Sequence, residues 1–298
     1  MNLFTVFIIE KLKSLLKLKS VFFVPNNVCV GENSVIDTDL NKSVKLNDVA
    51  YNILSLLDGK NTIEDIVSIL LKKYNVSKQI LERDINSIVS NLQDKNLVEC
   101  KIVGNKILVF FFNLAIGQYL HKKRYSIPKS KIATFLLLFY IVVKKLFIMW
   151  LITIIPVYFF ISNFTLDFNN MVNYAIGCYF VFIFAMILGF VLHEWIHIVV
   201  SKIQNQEIHG YILAKRFTVS IVKVNTESSL LSILLGPIVP SILGIVFILI
   251  SLKTQSMMTF LLGIGFVINI INLLPFTKDG KGILEKILMK KLMKGAIK

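Results

Sequence analysis

The pattern of apolar and polar positions divides the chain into two unlike halves. Up to about residue 112, apolar residues recur with helical or strand spacing between charged positions, as in a globular domain. Further along, four apolar runs are long enough to cross a bilayer, at about 146–162, 172–201, 229–251 and 257–275. The pattern predicts an α-helical polytopic membrane protein of about four spans with an N-terminal soluble domain.

Residues 20–112 are predicted to form a small α+β domain. Two strand-like runs come first, at Val21–Val30 and Ser34–Asp39. Three amphipathic helices follow: one that Asn47 or Asp48 can cap, one that Thr62 can cap, and one from about Ser77 to Asp94. Residues 97–103 and 106–112 flank Gly104-Asn105 and read as a β-hairpin. Three helices and a hairpin make a winged-helix-like domain.

The stretch from Leu46 to Ile63 carries a family resemblance. An apolar helix, then Asp58-Gly59, then a helix capped by Thr62 resembles the PqqD-like family, the peptide-recognition domains of systems that modify ribosomally made peptides. The resemblance extends over about residues 20–103. It implies that the domain binds a leader peptide as an added strand, and we expect the free strand edge near Val21–Asp39. A purely structural domain is the alternative.

Charge separates the possible partners of this domain. The chain has a net charge of +15, but residues 20–112 carry ten basic and eleven acidic residues, a net charge of −1. Nucleic-acid binding requires a basic face that neutralises phosphates, so we expect no nucleic-acid partner. The excess of positive charge lies in residues 113–298, with nineteen basic and six acidic residues.

Two basic segments flank the predicted domain. In residues 1–19, lysines at the charged positions 11, 13, 17 and 19 alternate with leucines, which is typical of a basic amphipathic segment that lies on an anionic membrane surface or packs on the next domain. Residues 113–145 predict a basic linker followed by a short interfacial segment, because the apolar run 132–143 is too short to span a bilayer. The membrane domain then covers residues 146–298.

Composition and charge placement together predict the location. The chain is 55% hydrophobic with a mean hydropathy of +0.70, which favours several membrane spans. Of the basic residues after residue 112, only Lys253 falls on the outer side of the predicted topology. The positive-inside rule therefore predicts a multi-pass protein of the cell membrane with both termini and the 202–228 loop in the cytoplasm.

The sequence His193-Glu194-Trp195-Ile196-His197 brings ionisable groups into the second apolar run. Such groups are costly at membrane depth and usually functional. Histidines four residues apart share one helix face and can bind one metal ion, for which Zn²⁺ is expected. Glu194 can take a proton from a water on that metal. The alternative is a pair of core histidines that fall four apart by chance.

A catalytic zinc usually has three protein ligands, and Asp279 is the preferred third. In the predicted topology, runs 172–201 and 257–275 cross the bilayer in the same direction, so the histidine pair and Asp279 lie at one depth. The alternatives Glu207, His209 and Glu227 lie in the cytoplasmic loop.

This constellation resembles the site-2 protease family of intramembrane zinc metalloproteases over about residues 172–285. The resemblance rests on three motifs: His193 to His197, Gly236-Pro237, and Asn272-Leu273-Leu274-Pro275 with Asp279-Gly280. The stretch from Pro275 to Asp279 is about one residue shorter than the family pattern. The resemblance implies that His193, His197 and Asp279 bind zinc and that Glu194 is the general base.

Both resemblances together predict a membrane-embedded zinc endopeptidase that cleaves a ribosomally synthesised precursor peptide, with the leader captured by the N-terminal domain. The expected partners are a peptide substrate, the lipid bilayer, and peptide-modifying or export proteins. Two alternatives stay open. One is a site-2-type protease of a membrane-anchored regulator or signal-peptide remnant, and the other is a non-catalytic membrane peptide-binding or immunity protein.

Overall fold

The structure is a computed structural model that describes residues 11–112, 122–164, 168–204, 209–215, 219–223 and 229–295. The chain forms two compact units. The first contains Met1–Ser126 and His209–Val222, and the second contains Ile127–Ile208 and Lys223–Lys298. The first unit therefore takes in a segment, His209–Val222, that the sequence pattern assigned to the membrane half.

Nine strands in the described part of the chain form three sheets of three strands each. They are β1 (Lys19–Phe23), β2 (Val28–Val30), β3 (Ser34–Asp37), β4 (Lys42–Lys45), β5 (Asp58–Thr62), β6 (Glu99–Val103), β7 (Lys123–Ser126), β8 (Gly210–Ala214) and β9 (Val219–Lys223). The sheet orders are β5-β1-β6, β2-β3-β4 and β7-β8-β9. The two strand-like runs predicted near the start of the domain correspond to β1, β2 and β3.

Three helices of the first unit begin where the sequence predicts them. They are α1 (Asp48–Ser55), α2 (Ile63–Leu70) and α3 (Lys78–Asp94). The side chains of Asn47 and Ser77 accept hydrogen bonds from backbone N–H groups in the first turns of α1 and α3. Thr62 and Asp65 form a reciprocal capping box at α2. The helices and sheets bury one apolar core, which includes Val35, Ile53, Ile66 and Ile85.

The predicted hairpin at the end of this domain is wrong. Residues 106–112 are helical, and β6 pairs with β1. The side-chain oxygen of Asn105 accepts hydrogen bonds from the backbone N–H groups of Ile107 and Leu108, at 3.0 and 3.5 Å. Asn105 therefore starts a helix where the sequence suggested a turn, because a short apolar run has no periodicity that separates strand from helix.

The expected strand edge for a peptide needs a correction as well. β1 lies between β5 and β6, and β3 lies between β2 and β4, so both of these strands are paired on two sides. Of the predicted range, only β2 is an outer strand. In the same sheet, β4 is the other outer strand of the described structure, and its residues Lys42, Ser43 and Lys45 are exposed.

Arg124 connects β7 to the rest of the first unit through buried polar contacts. Its Nη2 lies 2.8 Å from Oδ1 of Asp37 and 3.1 Å from Oδ2 of Asp39. Its Nη1 donates to the backbone carbonyl of Asn96, and its guanidinium lies 3.8 Å from the ring centre of Tyr211. Part of the predicted basic linker and part of the predicted cytoplasmic loop are therefore built into this unit as β7 and β8.

Residues 1–10 and 113–121 lie outside the described residues, so most of the predicted basic amphipathic segment is not described. Residues 11–15 are helical. Lys13, predicted as one of its charged surface positions, is buried and donates a hydrogen bond to the hydroxyl of Ser20 at 2.8 Å. Leu15, in contrast, is exposed.

The second unit is helical. It contains α4 (Lys131–Phe164), α5 (Phe168–Gln204), α6 (Leu230–Thr254), α7 (Met257–Val267), a 3₁₀ helix (Ile268–Leu273) and α8 (Lys278–Gly295). The separate interfacial segment predicted at 132–143 is absent, because α4 is continuous from Lys131 through the first predicted span. No helix-breaking residue separates the two, since Lys144-Lys145 are good helix formers.

Among the described residues, two helices are long and apolar enough to cross a membrane: Asn173–Gln204 and Leu230–Thr254. A bent pair, Met257–Leu273 with Lys278–Leu288, gives a third if it counts as one span. Two or three such helices are compatible with membrane association. The first of the four predicted spans and the cytoplasmic placement of the termini stay predictions.

Small residues bring α6 and α7 into close contact. A Cβ atom at Gly244 would lie 2.6 Å from the carbonyl oxygen of Gly263, and one at Gly263 would lie 2.8 Å from that of Gly244. Any larger side chain would force the two backbones apart. Such glycine contacts are typical of helix packing inside membranes.

Candidate metal centre

The two histidines of the predicted site lie in the last third of α5, and Asp279 lies in the first turn of α8. His193 and His197 are buried, and Asp279 is half-buried. The 3₁₀ helix and a short turn lead the chain from α7 into α8. The structure thus brings Asp279 to two histidines that lie more than 80 positions earlier in the sequence.

Three ligand atoms converge at this point. Nε2 of His193 lies 3.1 Å from Nε2 of His197 and 2.9 Å from Oδ2 of Asp279, and Nε2 of His197 lies 3.4 Å from the same oxygen. Ligands of a tetrahedral zinc at about 2.0–2.1 Å are separated by roughly 3.3 Å. The three atoms therefore fit one zinc ion with small adjustments, and they are a group of His and Asp residues able to hold a metal ion.

The hydrogen bonding of His197 favours this use. Its Nδ1 donates to the backbone carbonyl of Ser232 at 2.6 Å. In the neutral ring, this leaves a lone pair on Nε2, which faces His193 and Asp279. Such an outer hydrogen bond fixes the tautomer and orientation of a metal-binding histidine. Three acceptor-bearing groups facing one another are unfavourable without protons or a cation between them.

His193 is held differently. Its ring stacks parallel to that of Phe190 at a centroid distance of 6.5 Å and meets the ring of His197 edge-on at 4.8 Å. Its Nδ1 is buried and has no hydrogen-bond partner within the described residues. Aromatic packing therefore orients this ring, in contrast to the carbonyl contact that orients His197.

Gly236 of α6 leaves a cradle for the ring of His197. A Cβ atom at Gly236 would lie 2.4 Å from Cε1 and 2.5 Å from Nε2 of His197, so only glycine leaves room for the ring. Pro237 lacks the N–H that a helix uses at that position, and its ring disturbs the preceding turn. The carbonyl of Ser232, four residues before Gly236, accepts a hydrogen bond from Nδ1 of His197.

A tight turn presents Asp279. The hydroxyl of Thr277 lies 2.7 Å from the carbonyl oxygens of both Asn272 and Leu274, and it accepts a hydrogen bond from the N–H of Gly280. A Cβ atom at Gly280 would lie 1.9 Å from the carbonyl oxygen of Leu274. Thr277 and Gly280 thus fold the shortened motif tightly enough to bring Asp279 to the histidines.

Glu194, the predicted base, is half-buried on α5 beside His193. It interacts electrostatically with His193, Asp279 and two lysines, Lys278 and Lys223. It is not one of the three converging ligands. This position is compatible with a group that acts next to a metal and does not bind it.

Of the alternative third ligands, Glu207 and Glu227 lie outside the described residues. His209 is described and does not belong to the converging group. Sequence reasoning missed Ser232, because it contributes a backbone carbonyl, and it also missed Thr277, whose hydroxyl closes the turn. A Thr two residues before an Asp at a helix start is a capping signal that could have indicated Thr277.

Residues 32–98 match the family model described as coenzyme PQQ synthesis protein D (PqqD), which covers less than half of the chain. No curated protein and no solved structure matched. The match agrees with the resemblance of the N-terminal domain and indicates peptide binding in the context of ribosomally synthesised, modified peptides.

Proposed function

We propose that this protein is a membrane-embedded zinc endopeptidase that cleaves a ribosomally synthesised precursor peptide, with the leader captured by the PqqD-like domain. The observation that carries the proposal is the convergence of His193, His197 and Asp279 within hydrogen-bonding distance of one another. The set of two imidazoles and one carboxylate leaves one position of a tetrahedral zinc open, as in catalytic sites.

A bound zinc and Glu194 have different roles in the proposed reaction. A bound zinc supplies Lewis-acid polarisation of a peptide carbonyl and activation of water. The carboxylate of Glu194 accepts the proton of the attacking water and returns it to the leaving amine.

The PqqD-like domain supplies the peptide-binding element. Such domains bind an extended peptide as an added strand, through main-chain hydrogen bonds. The outer strand β4 offers such an edge, and Val44 within it packs partly against the domain core. Cleavage by this protein therefore depends on a leader sequence as well as on the scissile bond.

The test uses the full-length protein in detergent micelles, with zinc content measured by elemental analysis and cleavage of a precursor peptide followed by mass spectrometry. His193→Ala, His197→Ala and Asp279→Asn should each lose zinc and activity. Glu194→Gln should keep its zinc and lose turnover, because Glu194 is the base and not a ligand. Glu285→Gln, an exposed acid on the same helix as Asp279, is the matched control and should change neither.

Two results would contradict the proposal. Full proteolysis by the Glu194→Gln protein would exclude the assigned base. Unchanged zinc content in Asp279→Asn would exclude Asp279 and direct attention to the alternative acids of the predicted cytoplasmic loop. A wild-type protein that holds zinc but cleaves no peptide would favour the non-catalytic alternative.

A further inference from the structure

The backbone carbonyl of His197 is surrounded by donors to an unusual degree. The hydroxyls of Ser201 and Ser232 donate to it at 2.7 and 3.0 Å, and the ammonium group of Lys223 donates to it at 2.9 Å. Lys223 also donates to the hydroxyl of Ser201 at 2.5 Å. A carbonyl inside a helix normally has a single N–H partner. Here the peptide group after a predicted metal ligand is held by one charged and two neutral side chains.

We propose that Lys223 is a positioning residue of the metal centre, which fixes the backbone of His197 so that its Nε2 points at His193 and Asp279. This inference rests on the proposed function. It assigns a role to a residue that lies 26 positions from His197 and in no metal-binding motif. Lys223 contacts the carbonyl of His197 and not the ligand atoms, so it acts through the position of the histidine.

Separate contacts hold the ring and the backbone of His197. The ring is oriented by the carbonyl of Ser232, which accepts from Nδ1, and by the space that Gly236 leaves. The backbone is fixed by Lys223 together with Ser201 and Ser232. Charge-assisted hydrogen bonds are roughly twice as strong as neutral ones, so Lys223 is the strongest of the three donors. Partners beyond the first ligands typically change metal affinity about 10–100-fold.

The positive charge of Lys223 affects metal affinity in the opposite direction to its positioning role. A positive charge close to a metal ion repels it, and removal of that charge alone should strengthen metal binding. A positioning role predicts that removal weakens metal binding. The sign of the change therefore separates the two roles.

The experiment measures zinc affinity of the full-length protein in detergent micelles by competition with a chelator, and the visible absorption of the Co²⁺-substituted protein. Lys223→Met should bind zinc at least about tenfold more weakly and alter the Co²⁺ absorption bands. Lys223→Arg, which keeps a charged donor, should recover most of the affinity. Lys253→Met removes an exposed lysine from the end of α6 and should leave both measurements unchanged.

A double-variant cycle supplies a second readout. Because Lys223 and Ser201 act on one carbonyl, Lys223→Met with Ser201→Ala should lose less affinity than the product of the single losses. Independent, multiplicative losses would overturn the proposal, as would zinc binding by Lys223→Met that equals or exceeds that of the wild type. If the wild-type protein holds no zinc that depends on His193 and His197, the proposed function fails as well. If the wild-type protein holds such zinc and Lys223→Met binds zinc as tightly as the wild type, only the inference about Lys223 fails.

Discussion

At the scale of single residues, Gly236 leaves no room beside His197 for even one added methyl group. An added Cβ would lie within 2.9 Å of three ring atoms of His197. Alanine in a helix otherwise favours folding by about 0.5–1 kcal/mol over glycine, so a loss in Gly236→Ala has to come from the displaced ring. We expect zinc affinity to fall by about tenfold or more, which is in the range of 1–3 kcal/mol typical of overpacking.

The matched control for this prediction is Gly282→Ala. Gly282 lies in α8 close to Asp279, but its added Cβ would meet Cδ1 of Ile233 at 3.4 Å, an ordinary contact. Chelator competition should therefore give wild-type zinc affinity for Gly282→Ala. Equal affinities in the two alanine variants would show that the Gly236 cradle does not determine the position of His197.

At the scale of elements, the capping box of α2 predicts a dependence of stability on pH. The N–H and hydroxyl of Thr62 both donate to the carboxylate of Asp65 and hold its pKa below the usual value. A lowered pKa in the folded state means that the carboxylate stabilises α2 above its unfolded pKa, near 3.8. This contribution is lost as the pH falls through the lower, folded-state value.

Hydrogen–deuterium exchange of the peptide that covers residues 62–70 measures this effect. Protection in the wild type should decrease as the pH is lowered below 4, after correction for the intrinsic exchange rate. Asp65→Asn should be less protected at neutral pH and should lack the decrease. Thr62→Ala should reduce the opening free energy of α2 by about 1 kcal/mol, the usual value of an N-cap. An identical pH profile in Asp65→Asn would contradict the argument.

The second prediction at this scale concerns β7. Removal of Arg124 leaves the carboxylates of Asp37 and Asp39 buried without their cation, which typically costs about 3–5 kcal/mol. Arg124→Met should therefore strongly reduce the exchange protection of β3 and β7. Arg124→Lys should recover little, because one ammonium group does not reproduce the planar fork that reaches both acids and the carbonyl of Asn96.

Arg83→Met provides the comparison. The side chain of Arg83 is 81% exposed and lies 3.9 Å from Asp84 on the same helix, so its loss should change stability by less than about 0.5 kcal/mol. If Arg124→Met behaves like Arg83→Met, the buried cluster does not hold β7 in place. Partial recovery in Arg124→Met with Asp37→Asn would support the cost of an unpaired carboxylate.

At the scale of the whole molecule, the choice of partner follows from charge and from the PqqD-like domain. Residues 20–112 have a net charge of −1, so their affinity for duplex DNA should be low. Full-length protein in micelles should bind the leader of a precursor peptide encoded beside its gene, with only weak dependence on salt. Micromolar DNA binding with a steep salt dependence, and no peptide binding, would remove the leader-capture part of the proposal.

The sequence by itself determined the local elements of this protein. The caps Asn47 and Thr62 were predictable because an N-cap depends only on neighbouring backbone groups. The His193–His197 spacing was predictable because helix geometry fixes which residues share a face. Helical periodicity did not determine how much of each face is covered, since Ile80 on α3 is 49% exposed.

The tertiary structure decided what depends on residues far apart in the chain. No local pattern indicated that Arg124 would meet Asp37, that β7 and β8 would join the first unit, or that β6 would pair with β1 and leave residues 106–112 helical. The environment of His197 also depends on residues far apart in the chain. A glycine, a backbone carbonyl and a lysine from distant segments define it, and these contacts arise from packing, which no spacing along the chain records.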